Sequence, residues 1–222
     1  SGDTLYRLDP ETKEVTVVGQ FDGCTASIID IALDEDSNMY GAAYGSLWSI
    51  DRTTGRCTHI ADGEYPTSLS FVPAGTVDPD REALVGFVDA QYIRIDTQSG
   101  TSSPLGTLSG GLRSSGDMVA VAGSSWLTVT DDGACSAVDC IVEIDPVDGT
   151  VLVDYGPLPY PEVFGLAFWA GRAYGFARGG DLFEIAFAGD QVSFEQIAIP
   201  DAPASLEFFG AGSTTAAPPQ EG

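Results

Sequence analysis

Three carboxylates on strand-like runs, Asp30, Asp117 and Glu207, are the residues best placed to do chemistry in this chain. Glycoside hydrolysis needs two carboxyl groups roughly 5 to 10 Å apart, one of them with a raised pKa. Asp30, Asp117 and Glu207 would then divide the roles of acid, nucleophile and stabiliser. A second chemistry is cation binding. Asp30 and Asp117, with the hydroxyls of Ser68 and Ser205, offer hard oxygen ligands of the kind Ca²⁺ takes, and no other cofactor is expected. The competing reading is that these side chains only cap backbone amides at the starts of strands.

Other chemistries lack their parts. There is no Gly-x-Ser-x-Gly elbow and no glycine loop to cradle phosphate, and the single histidine, His59, falls in a strand-like run. Asp34-Glu35-Asp36-Ser37-Asn38 has the acidity of a calcium loop. It has Met39 and Gly45 where such a loop carries glycine and glutamate, so a hairpin turn is expected there. An enzyme is therefore the lesser expectation.

The surface narrows the partners. Nine basic residues face thirty-three acidic ones, for a net charge of −24, and Lys13 is the only lysine. Nucleic acid and anionic membrane both need Lys and Arg to neutralise phosphate, so neither is expected as a partner. No apolar run is long enough to span a bilayer. The chain opens at Ser1-Gly2-Asp3, from which a processed form that has lost its leader is expected.

Four cysteines without metal-type spacing point to disulfides and an oxidising compartment: secreted, periplasmic or cell-surface. Zinc would want Cys-x2-Cys, which is absent. Cys135 and Cys140 enclose a four-residue loop that a bridge can close, which leaves Cys24–Cys57 as the second pair.

The elements that hold these residues repeat. An apolar pair, then Asp, then a turn occurs at Leu5–Asp9, Leu47–Asp51, Tyr92–Asp96 and Ile141–Asp145, and in degenerate form at Leu182–Ala186. The last positions are spaced by 42, 45, 49 and 41 residues, and passing through both termini gives a further 45. Periods of about 40 to 45 residues are those of four-stranded propeller blades. Each interval reads as four short strands, and runs such as Leu84–Val88 are apolar on both faces, as in stacked sheets. The expectation is an all-β, five-bladed β-propeller with almost no helix. It would form one domain over residues 1–216, with 217–222 as a flexible tail. The first copy begins at a third strand. One blade would therefore be assembled from both termini, with Ser205–Phe209 as its first strand and 213–216 as its second.

Aligning the five first strands puts Asp30, Ser68, Asp117, Gly165 and Ser205 at one position, a ring at one mouth of the channel. The longest insertion, Thr130–Cys140, reaches the same mouth with Asp131 and Asp132, and Tyr65, Tyr155 and Tyr160 lie in connectors expected there. These residues form the expected ligand face.

The Leu-Tyr-x-Leu/Ile-Asp-Pro-x-Thr-Gly pattern, carried by Leu5–Lys13, Leu47–Gly55 and Ile141–Gly149, resembles the repeats of bacterial exported propellers of the broad YVTN/PQQ-like group, secreted or lipoprotein-type. The resemblance implies architecture and export, and carries no ligand with it. A binding or interaction module for a protein or glycan on the cell surface is expected, as a monomer. A glycan-acting hydrolase and a structural propeller in a larger assembly are the alternatives.

Overall fold

The computed structural model describes residues 3–121, 123–203 and 206–217. The repeated Asp builds its own turn. Asp51 Oδ1 accepts the Thr53 amide at 2.8 Å, and the Gly55 amide donates to the Asp51 carbonyl at 2.7 Å. Asp9, Asp96 and Asp145 make the same side-chain bonds to the residues that follow them. This is the Asx turn, in which a short acid satisfies amides two and three residues on. Gly55, Gly100 and Gly149 close these turns at φ of +77°, +69° and +76°. Lys13 takes the matching place in the first turn at φ +63°, where a side chain costs about 1 kcal/mol.

Those turns join strands into sheets. β1 (Thr4–Leu8) pairs with β2 (Val15–Gln20) in a two-stranded sheet. A four-stranded meander follows, β3 (Ile28–Leu33), β4 (Met39–Ala43), β5 (Ser46–Ile50) and β6 (Cys57–Asp62). The next contains β7 (Ser70–Val72), β8 (Ala83–Val88), β9 (Gln91–Ile95) and β10 (Ser102–Thr107). Then come β11 (Arg113–Val121), β12 (Ser124–Thr130), β13 (Cys140–Ile144) and β14 (Val151–Pro157). The last is β15 (Val163–Trp169), β16 (Arg172–Ala177), β17 (Leu182–Ala188) and β18 (Gln191–Ile197).

No helix occurs among the described residues, and every neighbour in each sheet is antiparallel. The first strands meet one another in the order β3, β7, β11, β15, so the sheets stack around a common centre as a β-propeller. Their faces interlock through apolar residues on both sides. Phe87 and Tyr92 stack at 4.6 Å and pack with Leu127 and Val142 of the following sheet. Each such side chain contributes about 1.5–3 kcal/mol on burial. The two-stranded sheet is held likewise. Leu5 packs with Ile28, Met39 and Trp48 on one side, while Tyr6 and Leu8 pack with Tyr174 and Phe176 on the other.

The C-terminal expectation is corrected. Residues 206–212 form no regular strand, and Thr214 makes a single bridge to Leu33. The gap next to β3 is narrow: a Cβ on Gly210 would lie 2.7 Å from Asp30 Cα, and one on Gly212 would lie 2.6 Å from the Ile31 carbonyl oxygen. Glycines fit that gap, and their weak strand propensity leaves the segment irregular. Ser205 lies outside the described residues. So do residues 218–222 of the expected tail, while Ala217 is buried against the last sheet.

Both disulfides form as Cys24–Cys57 and Cys135–Cys140. The first fastens the end of the two-stranded sheet to β6, beside the Cys57 amide bond to the Asp22 carbonyl at 2.7 Å. Its sequence separation is 33, against 5 for the second. Chain entropy favours the longer loop, about 4 against about 2 kcal/mol. Cys24→Ser with Cys57→Ser is therefore expected to lower the urea midpoint more than Cys135→Ser with Cys140→Ser. Equal midpoints in the two double variants would contradict this.

Candidate functional site

The centre of the ring is where the sequence puts its carboxylates, and the structure brings two of them together. Asp30 and Asp117 are fully buried and hydrogen-bond to each other. Asp30 Oδ1 accepts the Ile31 amide at 2.8 Å, and its Oδ2 accepts the Leu69 amide at 2.5 Å. Asp117 Oδ1 accepts the Met118 amide and its Oδ2 the Leu166 amide, both at 2.6 Å, and the Ala211 amide also donates to this carboxylate. Two side chains thus serve five amides, each from a different part of the ring.

Burial pushes both carboxyls well above the usual range, and for Asp30 the neighbouring Asp117 charge pushes the same way. Two like charges in contact cannot both ionise, so the pair shares a proton. The Asp117 amide donates to Thr128 Oγ1 at 2.8 Å, and Ser68 Oγ accepts the Phe87 amide at 2.9 Å. Among the described residues, no group of three or more His, Cys, Asp or Glu could hold a metal ion.

The remaining predicted residues do not converge. Glu207 is exposed and lines one cavity together with Asp30. Tyr65 is buried, and its hydroxyl donates to the Gly100 carbonyl at 2.9 Å. Tyr155 donates to Glu143 Oε2 at 2.9 Å and tilts against Phe187, while Tyr160 tilts against Phe183. All three tyrosines are packing residues between sheets. Asp131 Oδ1 accepts the Gly133 and Cys135 amides at 2.8 Å, which shapes the stapled loop, and Asp132 is exposed with an ion pair to Arg113 at 3.0 Å. Ser205 lies outside the described residues, and Gly210 and Ala211 approach Asp30 and Gly165 closely. A Cβ on Gly210 would lie 2.4 Å from Asp30 Oδ1.

Sequence reasoning missed a cavity of about 340 Å³ beside the two-stranded sheet. One wall is the whole of β1, Thr4 to Leu8, and the opposite wall is the run from Glu207 to Thr214. Apolar side chains from the flanking sheets close it, among them Met39, Trp169 and Phe176. Three of the nine basic residues, Arg7, Lys13 and Arg52, lie at its edge. Lys13 Nζ donates to the Pro10 carbonyl and, at 3.3 Å, to the Tyr174 hydroxyl, and sits 4.8 Å from the Tyr174 ring centroid. The signal available in the sequence was that lysine, standing where the other turns have glycine.

No protein-family model matches this sequence, and no curated protein does either. Solved structures share the fold. A gluconolactonase from Xanthomonas campestris aligns at TM-score 0.57 and 16% identity, over 94% of this chain and 74% of that one. A chain of a nidogen–laminin complex aligns at TM-score 0.54 and 12% identity, over 92% of each. The Kuenenia stuttgartiensis hydrazine synthase gives TM-score 0.47 at 12% identity, and this chain spans 60% of its length. At these identities the likeness is one of fold.

Proposed function

We propose that this chain is a binding or interaction module of an oxidising compartment, secreted, periplasmic or cell-surface, built as a single five-bladed propeller over residues 1–216. Five inner amides, of Ile31, Leu69, Met118, Leu166 and Ala211, meet the buried acid pair, which supports five equivalent units. The fifth would combine β1 and β2 with the C-terminal segment. The two disulfides support an oxidising compartment, and no helix among the described residues is long and apolar enough to cross a membrane.

The observation that carries the binding reading is the cavity beside β1, which Asp30 lines while its own carboxylate stays buried and bonded. A hydrolase using Asp30 and Asp117 needs them roughly 5 to 10 Å apart around a substrate. A direct hydrogen bond between them leaves no such room. The cavity is within the range of ligand pockets, about 300–1,000 Å³, and combines apolar walls with a few polar groups. Its ligand is a protein or glycan of the exterior, and the stapled loop with Asp131 and Asp132 adds a second exposed contact surface.

The test is a binding screen against glycans and extracellular proteins, read by tryptophan fluorescence. Trp169 lines the cavity, whereas Trp48 and Trp126 are buried elsewhere. A ligand should change the emission of the native protein and not that of Trp169→Phe. Hydrolysis of a polysaccharide panel that stops in Asp117→Asn would overturn the reading. Calcium is tested separately. Every oxygen of the acid pair faces an amide N–H, a donor that repels a cation, so EDTA is expected to leave the melting temperature unchanged. A fall in melting temperature reversed by millimolar Ca²⁺ would restore a metal.

A further inference from the structure

Within the binding module proposed above, on which this inference rests, the geometry points to a β-strand acceptor. The cavity beside β1 takes an extended segment of another protein, apolar in its middle and acidic at the end beside Lys13.

The first ground is a missing strand. Four sheets run from an inner first strand to an outer fourth, and their second strands, such as β4 and β16, join the first to the third. In the remaining unit β1 and β2 follow the third-and-fourth pattern, with the Asp9 turn between them. The segment from Leu206 to Thr214 takes the inner place against β3. Among the described residues, no strand lies between that segment and β1. Among the described residues, β1 makes backbone bonds to β2 alone. Its other edge offers unpaired N–H and C=O groups, which templates another strand.

The second ground is the shape of the cavity. It is lined by consecutive residues, Thr4 to Leu8 on one wall and Glu207 to Thr214 on the other. A pocket for a compact ligand draws on scattered side chains. A slot that runs along a whole strand edge fits a chain of four or five residues, about 14–17 Å long.

The third ground is charge. The protein carries a net charge of −24 with nine basic residues, yet Arg7, Lys13 and Arg52 flank this slot. The sole lysine holds a left-handed backbone position that glycine fills in three sister turns. Its ammonium is held at the slot by the Tyr174 ring and hydroxyl. Such strain persists where the side chain has a task. Screening confines charge effects to about 8 Å at physiological salt, so the local cations, not the distant surface, select the end of the strand.

The probe is the labelled peptide acetyl-Glu-Ala-Tyr-Gly-Phe-Ala-amide, patterned on the second strand Arg172–Ala177. Controls are the same peptide with Gln for Glu, a version N-methylated at alternate residues, and dodecanoate. The expected result is saturable micromolar binding by anisotropy, with slowed hydrogen exchange at residues 4–8. The Gln peptide should bind at least fivefold more weakly. Lys13→Gly, which suits the turn, and Arg52→Gln, on the surface, should each erase that difference while the fold is kept.

Binding that survives N-methylation, protection elsewhere than β1, or binding of dodecanoate without the peptide would each overturn the acceptor. So would a ligand found in the wider screen whose affinity is unchanged in Lys13→Gly, and in that case the binding-module reading survives. Absence of any ligand in that screen sinks the module itself.

Discussion

Asp117→Ala is expected to lower the melting temperature by roughly 10 °C or more. The Asp117 carboxylate accepts amides from Met118, Leu166 and Ala211, which belong to three separate segments around the centre. Truncation orphans all three in a water-free site. Each unsatisfied amide costs about 1–3 kcal/mol, and in a chain of this length 1 kcal/mol is worth about 2–4 °C. Asp30→Asn is a milder change, because the amide side chain can still donate to Asp117 in place of the shared proton. It loses about one backbone bond.

The two variants also predict a pH dependence. The pair has raised folded-state pKa values, so its contribution is fully present below about pH 4, the unfolded value, and fades as pH rises through the folded pKa. Asp78 behaves in the opposite sense. Hydrogen bonding from Arg94 lowers it to about 2, so its contribution is present above pH 4 and is lost on acidification toward pH 2. Asp9, Asp51, Asp96 and Asp148 are lowered by their turn amides and hydroxyls and act in the same direction. Removing the shared proton site should leave the acid limb alone and flatten the alkaline one. The deficit of Asp30→Asn should therefore shrink between pH 5 and pH 9. Parallel melting curves for wild type and variant across that range would refute a shared proton.

The architecture was legible because the turn chemistry is local. An Asp that satisfies its own following amides, and a glycine four residues on, mark the turns at Asp51, Asp96 and Asp145, and Asp9 does the same with Lys13 in the glycine's place. The degenerate fifth copy also has a physical reason. β17 and β18 join through a tight hairpin at Gly189 and Asp190, so the strands run on past Ala186 and need no Asx turn. Pairing of Cys135 with Cys140 followed from loop length, and Cys24–Cys57 from what remained.

The ring was legible only in part. Asp30 accepts the amide that follows Ser68 and Asp117 accepts the amide that follows Gly165, so these four positions meet at the centre, while Ser205 lies outside the described residues. Composition shows a carboxylate, not whether amides already occupy its oxygens. The three tyrosines read as connector residues, whereas Tyr65 is buried and Tyr155 and Tyr160 are half-buried against Phe187 and Phe183. The slot beside β1 is a missing element, and a periodicity search registers what repeats rather than what is absent.

Deleting residues 204–222 is expected to abolish cooperative folding. The described part of that stretch buries Leu206 and Phe208, the latter edge-on to Phe176 at 5.1 Å. It supplies the Ala211 amide to Asp117, the Ser213 hydroxyl that accepts the Phe168 amide at 2.9 Å, and the Thr214 hydroxyl that donates to the Asp34 carbonyl at 2.6 Å. Two apolar side chains at about 1.5–3 kcal/mol each, with three orphaned polar groups at about 1–3 each, reach the whole 5–15 kcal/mol by which domains are stable. The loss falls on both neighbours at once, because the segment bonds to both β15 and β3, which β1 otherwise bridges only through side-chain packing. Gly210→Val is the point-mutation counterpart, since its Cβ would fall 2.4 Å from Asp30 Oδ1. It should reproduce a large part of the effect without shortening the chain. Both variants can be followed by near-ultraviolet circular dichroism and a thermal melt. A truncated protein that still melts cooperatively within a few degrees of the full chain would mean that the ring is held by its four complete sheets, and that the C-terminal segment merely lies against them.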